Sequence, residues 1–217
     1  MSIELGKFNQ LEVVKQVDFG MYLDGGEEGE ILLPSRYVPE DCKVGDILNV
    51  FLYLDIEERL IATTLTPLVQ VGQFACLEVA WVNQFGAFLN WGLMKDLFVP
   101  FREQKMKMQV GKKYVVYAYI DEESYRIVAS AKVERFLSRD KAEYSPGDKV
   151  DILVWQKTDL GFKAIIDNKH SGLLYDNEIF STLETGMKMK AFVKQEREDG
   201  KIELMLQKTG LARVGDI

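Results

Sequence analysis

Two cysteines and a single histidine are all the soft metal ligands that these 217 residues offer. Cys42 and Cys76 alone make no disulfide framework, and with His170 they fall short of a structural zinc set. No stretch approaches the roughly 20 apolar residues that a bilayer-crossing helix needs. The start, MSIELGKFNQ, lacks a basic segment followed by an apolar run, so no secretory signal is read. Neither a phosphate-cradling glycine loop nor a dinucleotide fingerprint occurs. The expectation is a cytoplasmic protein that needs no cofactor. A hydrophobic share of 47% is enough for a buried core and argues against disorder.

What the chain does have is an internal repeat. Gly6, Gly20, Pro34 and Gly45 reappear 66 positions later as Gly72, Gly86, Pro100 and Gly111. The same step carries Arg36 to Arg102, Asp55 to Asp121 and Ile61 to Ile127. A second step of 75 carries Gly72, Gly86, Gly111 and Ile127 to Gly147, Gly161, Gly186 and Ile202. Three copies follow, over residues 1–66, 67–137 and 145–209, with 210–217 as the start of a truncated segment. The stretch VERFLSRDKAEY between copies two and three places Val133, Phe136 and Leu137 at helical spacing, which predicts a helix or helical turn near 134–144.

Each copy has the same grammar. An apolar run (LEVVKQV, CLEVAWV, VDILVWQ) is interrupted by glycine and resumes (GMYLD, GAFLN, GFKAI). A short element follows (ILLP, LFVP, GLLY), then a polar, weakly helical stretch. Two final runs flank a charged turn, as in VFLYLDIEERLIATT. β-Branched and aromatic residues fill these runs and turn residues bound them. Five short strands in roughly 65 residues, with a helical turn after the third, describe a closed Greek-key barrel of the OB type. The fold class is therefore all-β: three tandem five-stranded OB-fold barrels with short helical turns.

The pairs Phe19-Gly20 and Phe85-Gly86, the aromatics Tyr22 and Phe88, and GLLY at 172–175 resemble S1 RNA-binding domains over nearly the whole chain. The stretches DILNVFLYLDIEERLIATT, ILLPSRYVPE and GFKAIIDNKHSGLLYDNEIF are similar to the conserved virulence factor B family of bacterial S1-repeat proteins. That resemblance implies tandem S1 barrels and a winged-helix domain beyond GLARVGDI, so that the chain reads as a fragment. It also implies single-stranded RNA as the partner and a role in RNA turnover or gene expression.

In S1 domains bases stack on face aromatics while cations follow the backbone, and each stacked base is worth about 1–3 kcal/mol. Carried over by the resemblance, the face positions are Phe19 and Tyr22 in copy one, Phe85 and Phe88 in copy two, and Leu160 and Lys163 in copy three. A third position falls on Pro34, Pro100 and Tyr175, so no copy keeps a full aromatic set. Trp81 aligns with the polar Lys15 and Gln156 and is expected to point outward; Trp155 aligns with Val14 and Ala80 and is expected in the core. Arg36 and Arg102 are candidate phosphate clamps, with a planar fork suited to the task. Lys105 leads a basic stretch with Lys107, Lys112 and Lys113. The carboxylates of 55–58 and 121–123 sit between paired strands, where polar turns belong, rather than forming a metal site.

Charge separates the copies. Residues 1–66 hold 13 acidic and 5 basic side chains (net −8), residues 67–137 hold 7 and 9 (net +2), and residues 138–217 hold 14 and 13 (net −1). A polyanion is repelled by the first and favoured by the second. Two functions fit: a non-catalytic single-stranded RNA binder, or a protein-interaction adaptor using its acidic first barrel.

Overall fold

The computed structural model describes residues 2–206, so the segment 210–217 lies outside the described residues. Fifteen strands close into three barrels. Barrel one comprises β1 (Phe8–Val17), β2 (Gly20–Asp24), β3 (Glu30–Pro34), β4 (Ile47–Leu54) and β5 (Leu60–Thr63). Barrel two comprises β6 (Phe74–Val82), β7 (Gly86–Asn90), β8 (Leu97–Pro100), β9 (Lys113–Ile120) and β10 (Ile127–Ser130). Barrel three comprises β11 (Lys149–Thr158), β12 (Gly161–Ile166), β13 (His170–Tyr175), β14 (Lys188–Glu196) and β15 (Ile202–Met205). In each, the strand order around the barrel is first, second, third, fifth, fourth, with the third and fifth parallel. The helical turn after the third strand is a short 3-10 turn at Ser35–Tyr37, Phe101–Glu103 and Asp176–Glu178.

The repeat read in the sequence is a repeat of core positions. Leu11, Val13, Met21, Leu23, Ile31, Leu33, Val50, Leu52 and Ala62 form the core of barrel one. Advanced by 66 they become Leu77, Val79, Ala87, Leu89, Leu97, Val99, Val116, Ala118 and Val128, and every one is buried. The inward residues of each strand pair stand two apart, as the alternation of a strand requires, and Phe51 and Tyr53 between them on β4 are buried as well. Barrel three adjusts one position: Gly172 stands where Leu97 stands in barrel two. A Cβ there would lie 2.7 Å from Leu204 Cδ1 and 2.8 Å from Ile166 Cδ1, so those side chains occupy the missing volume.

The glycines that open the second strands are required by close approach. A Cβ on Gly20, Gly86 or Gly161 would collide with the carbonyl oxygen of Leu33, Val99 or Leu174 on the third strand. By contrast Gly111 has φ 82° and nothing within 4 Å of an added Cβ. Of the helix or helical turn expected near 134–144, a single turn forms, at its start. A 3-10 turn forms only over Val133–Phe136, and Leu137 is already extended (φ −72°, ψ 139°). One turn exhausts the spacing of Val133 and Phe136, and Ser138 N–H then donates to Lys169 O rather than continuing a helix.

Two compact units result. The first holds barrel one and most of barrel two; the second holds barrel three with the short segments 74–76 and 113–115. Within the first unit the two barrels are joined through their turns. Glu58 pairs with both Lys95 (3.3 Å) and Arg126 (3.2 Å), and Lys95 Nζ also donates to Asp55 O at 3.0 Å. Beneath them the rings of Phe51 and Trp91, both buried, meet edge-on at 5.6 Å.

The turn carboxylates organise their own loops, as expected. Asp55 accepts from the N–H groups of Glu57 and Arg59, each at 2.9 Å, and from Arg59 Nε at 3.0 Å. Asp121 accepts from Ser124 Oγ at 2.7 Å, from Ser124 N–H at 3.1 Å and from Arg102 at 3.3 Å. Burial would raise the Asp55 carboxyl, but the Arg59 and Glu57 donors outweigh it and hold it low. At Asp121 the Ser124 hydroxyl is the largest influence; with the Ser124 N–H and Arg102 it overcomes burial and lowers that carboxyl too.

Two measurements check this account. Gly86→Ala is expected to cost roughly 2–4 kcal/mol, because backbone must move, and Gly111→Ala only about 1–2 kcal/mol of left-handed strain. Chemical denaturation of both variants decides it; equal losses would show that the carbonyl contact is not what demands glycine. A lowered Asp121 pKa means its stabilisation is complete above the unfolded value of about 3.9 and disappears as pH falls through the folded value. Asp121→Asn should therefore be less stable than wild type at pH 7, and the gap should shrink as pH falls below the unfolded value. A gap that persists unchanged in acid would refute the assignment.

Candidate functional site

The first strand of every barrel carries a bulge at the same place. Register shifts between Val13 and Lys15, between Val79 and Trp81, and between Val154 and Gln156. A bulge inserts one residue and inverts the inside-outside alternation beyond it. In β6, Leu77 and Val79 point inward, and unbroken alternation would bury Trp81 as well. The bulge at Ala80 turns Trp81 outward, to 44% exposure, opposite Phe88. Trp155, in the bulge of β11, is instead 7% exposed, in the core as expected.

Beyond the bulge a row of three cross-strand neighbours runs over the first, second and third strands. The row is Lys15, Tyr22 and Leu32 in barrel one. It is Trp81, Phe88 and Phe98 in barrel two, and Gln156, Lys163 and Leu173 in barrel three. Only barrel two has rings at all three positions. Trp81 and Phe88 lie parallel, with centroids 3.8 Å apart and 4° between planes, and Phe88 and Phe98 follow at 4.9 Å and 29°. The ring quadrupole alone favours an offset or edge-on pair over a flat sandwich. What orients the indole is a hydrogen bond from Trp81 Nε1 to Asp96 Oδ2 at 2.9 Å. Phe88 is stacked by both neighbours and half-buried, so the open ring surface of the row belongs chiefly to Trp81. Phe85 (62% exposed) and Phe101 (42% exposed) extend it at the adjoining loop, where Phe101 N–H donates to Phe85 O.

Phe98, Asp96 and Phe101 were not singled out from the sequence. Phe98 was detectable in principle, since in LFVP it alternates with the inward Leu97 and Val99. Asp96 was not, because its role depends on the bulge that aims Trp81.

The other predicted positions divide. In barrel one Phe19 and Tyr22 do share a face, meeting edge-on at 6.2 Å, and Lys15 Nζ lies 5.5 Å from the Tyr22 ring. Arg36 lies over the Tyr37 ring at 5.6 Å and points Nη1 at Met94 Sδ, 3.6 Å away. Arg102 is engaged with Asp121. Lys105 is exposed just after the Phe101–Glu103 turn. In barrel three Lys163 Nζ sits 5.5 Å from the Trp155 ring, and the Tyr175 hydroxyl accepts from Arg197 at 3.3 Å. Leu160, Lys163 and His170 line a cleft of about 1250 Å³ between the 137–142 linker and the β14–β15 turn. His170 is half-buried: Nε2 is 3.1 Å from Asp140 O and the ring meets Tyr144 edge-on at 5.7 Å. Cys42 and Cys76 are free, and burial raises both thiols, which disfavours the reactive thiolate.

Comparison with known proteins accords with this architecture. An uncharacterized protein YitL of Bacillus subtilis (strain 168) is 27% identical over 213 residues, spanning 94% of this chain and 71% of its own. A solved multidomain protein with nucleic acid binding domains from Streptococcus pneumoniae matches with a TM-score of 0.52 at 20% identity. The match covers 98% of this chain and 77% of that one, and is a likeness of fold. The S1 domain model matches residues 5–65 and 71–132, which contain the first two barrels and more than half of the sequence. The chain belongs to the S1 domain family.

Proposed function

We propose that this chain is a non-catalytic, cytoplasmic protein that binds single-stranded RNA, with the second barrel as its principal platform. The observation that carries the proposal is the row Trp81–Phe88–Phe98. It offers a ring with open area, held at a fixed angle, on the one copy whose net charge is positive. Every base has a π-face, so such a row takes single strands with little regard to sequence. Phe85 and Phe101 extend the row, and Lys105, Lys107 and Lys112 supply cations for the backbone. Arg102 reaches a phosphate only by releasing Asp121. Barrel three, with Lys163 as a cation and Tyr175 as a single ring, suits backbone tracking more than stacking. Barrel one keeps Phe19, Tyr22 and Arg36 but opposes a polyanion with its net −8. A role in bacterial RNA turnover or gene expression, and a place in the conserved virulence factor B family, are part of this proposal and rest on the sequence stretches that resemble that family. The acidity of barrel one favours a second reading, in which that barrel docks a protein partner.

Titration of the full chain with a labelled, unstructured RNA oligomer at two salt concentrations tests the proposal. The log–log salt slope should be about −0.7 per phosphate neutralised. Trp81→Ala should weaken binding by roughly 1–3 kcal/mol, the range for loss of one stacked base. Phe88→Ala should weaken it as well, because the indole loses its support, and Tyr22→Ala should matter less. Undetectable or salt-independent binding would sink the RNA reading and leave the adaptor.

A further inference from the structure

The Trp81 indole donates to Asp96 Oδ2 at 2.9 Å, which fixes a carboxylate at the edge of the most exposed ring of the stacked row. No other hydrogen bond to this carboxylate, and no ion pair, is made among the described residues. The adjacent Lys95 is committed elsewhere, to Glu58 and to Asp55 O. A bare anion beside a strand of phosphates costs affinity unless a base edge, not the backbone, faces it.

We propose that Asp96 makes this platform select guanine; the inference rests on reading barrel two as an RNA platform. An ionised carboxylate only accepts hydrogen bonds, through two oxygens with about four lone-pair sites. Trp81 uses one site, which leaves about three on a half-buried carboxylate at the indole edge. A base stacked on the indole presents its own edge there, and unstacked RNA bases are commonly read along their Watson–Crick edges. Guanine offers two neighbouring donors on that edge, N1–H and the N2 amino group, which match the two carboxylate oxygens. Adenine, cytosine and uracil each set an acceptor next to a donor, so one carboxylate oxygen would meet a lone pair. The equivalent positions are Glu30 in barrel one and Ser171 in barrel three, whose partners across the row are Lys15 and Gln156. A ring with a carboxylate at its edge therefore occurs in barrel two alone of the three rows.

The experiment uses the full chain and uridine octamers carrying one central guanosine, inosine or adenosine, titrated by fluorescence anisotropy. Wild type should bind the guanosine oligomer about tenfold tighter than the adenosine one, as a good bidentate pair allows. Inosine, which lacks the N2 amino group, should fall between them. Asp96→Asn keeps an acceptor for the indole but presents an amide donor to the base, and should abolish the preference. A wild type without preference for guanosine, or an Asp96→Asn variant that retains it, overturns the inference. The platform itself is read separately, because Trp81→Ala should weaken all three oligomers. If it weakens none, the RNA reading of barrel two fails, whatever Asp96 does.

Discussion

The contact on which each barrel depends is the pressing of the second strand onto a carbonyl of the third, at Gly20, Gly86 and Gly161. Five short strands close into a cylinder only if they bend hard, and closure is what leaves no strand edge unpaired. The glycine supplies the bend by having no side chain to collide with that carbonyl. The bulge in the preceding strand belongs to the same device, since it lets the first strand coil around the cylinder while staying paired on both sides. Both features recur at equivalent places in all three copies. The barrel is thus a common chassis, and the copies differ in what they display.

What they display is governed by the parity change at the bulge. One inserted residue moves Lys15, Trp81 and Gln156 from inside to outside, and it brings them into a row with the second and third strands. The consequence is chemical. A lysine over a tyrosine, three stacked rings, and a glutamine beside a lysine are three different surfaces on one scaffold. Catalytic groups are not needed for such a surface to act: stacking area and fixed cations suffice for a single strand.

Much of this was legible in the sequence, because the physical demands behind it are local. Repeated glycines and alternating apolar residues announced five strands per copy, and the alignment of Trp81 with two polar residues announced its outward aim. Phe98 escaped notice since its neighbours Leu97 and Val99 make LFVP read as wholly apolar. Arg102 was legible as a cation but not as one already held, because Asp121 lies a strand away. The linker was legible as a helical turn, and only its start forms one: three apolar residues at helical spacing, with no cap after them, sustain a single 3-10 turn and no more.

The loop between β7 and β8 has a further meaning. Trp91 Nε1 ties it to itself through Lys95 O at 2.6 Å, and Lys95 ties it to the turn of barrel one. The next residue is Asp96. Barrel one, electrostatically the copy least suited to a polyanion, is therefore the abutment against which the loop holding the indole is braced. Excising it would remove a negative neighbour and a mechanical support in the same cut, with opposite effects on a strand lying across Trp81. A domain can in this way be hostile to a ligand at long range and indispensable to the shape of the surface that ligand meets.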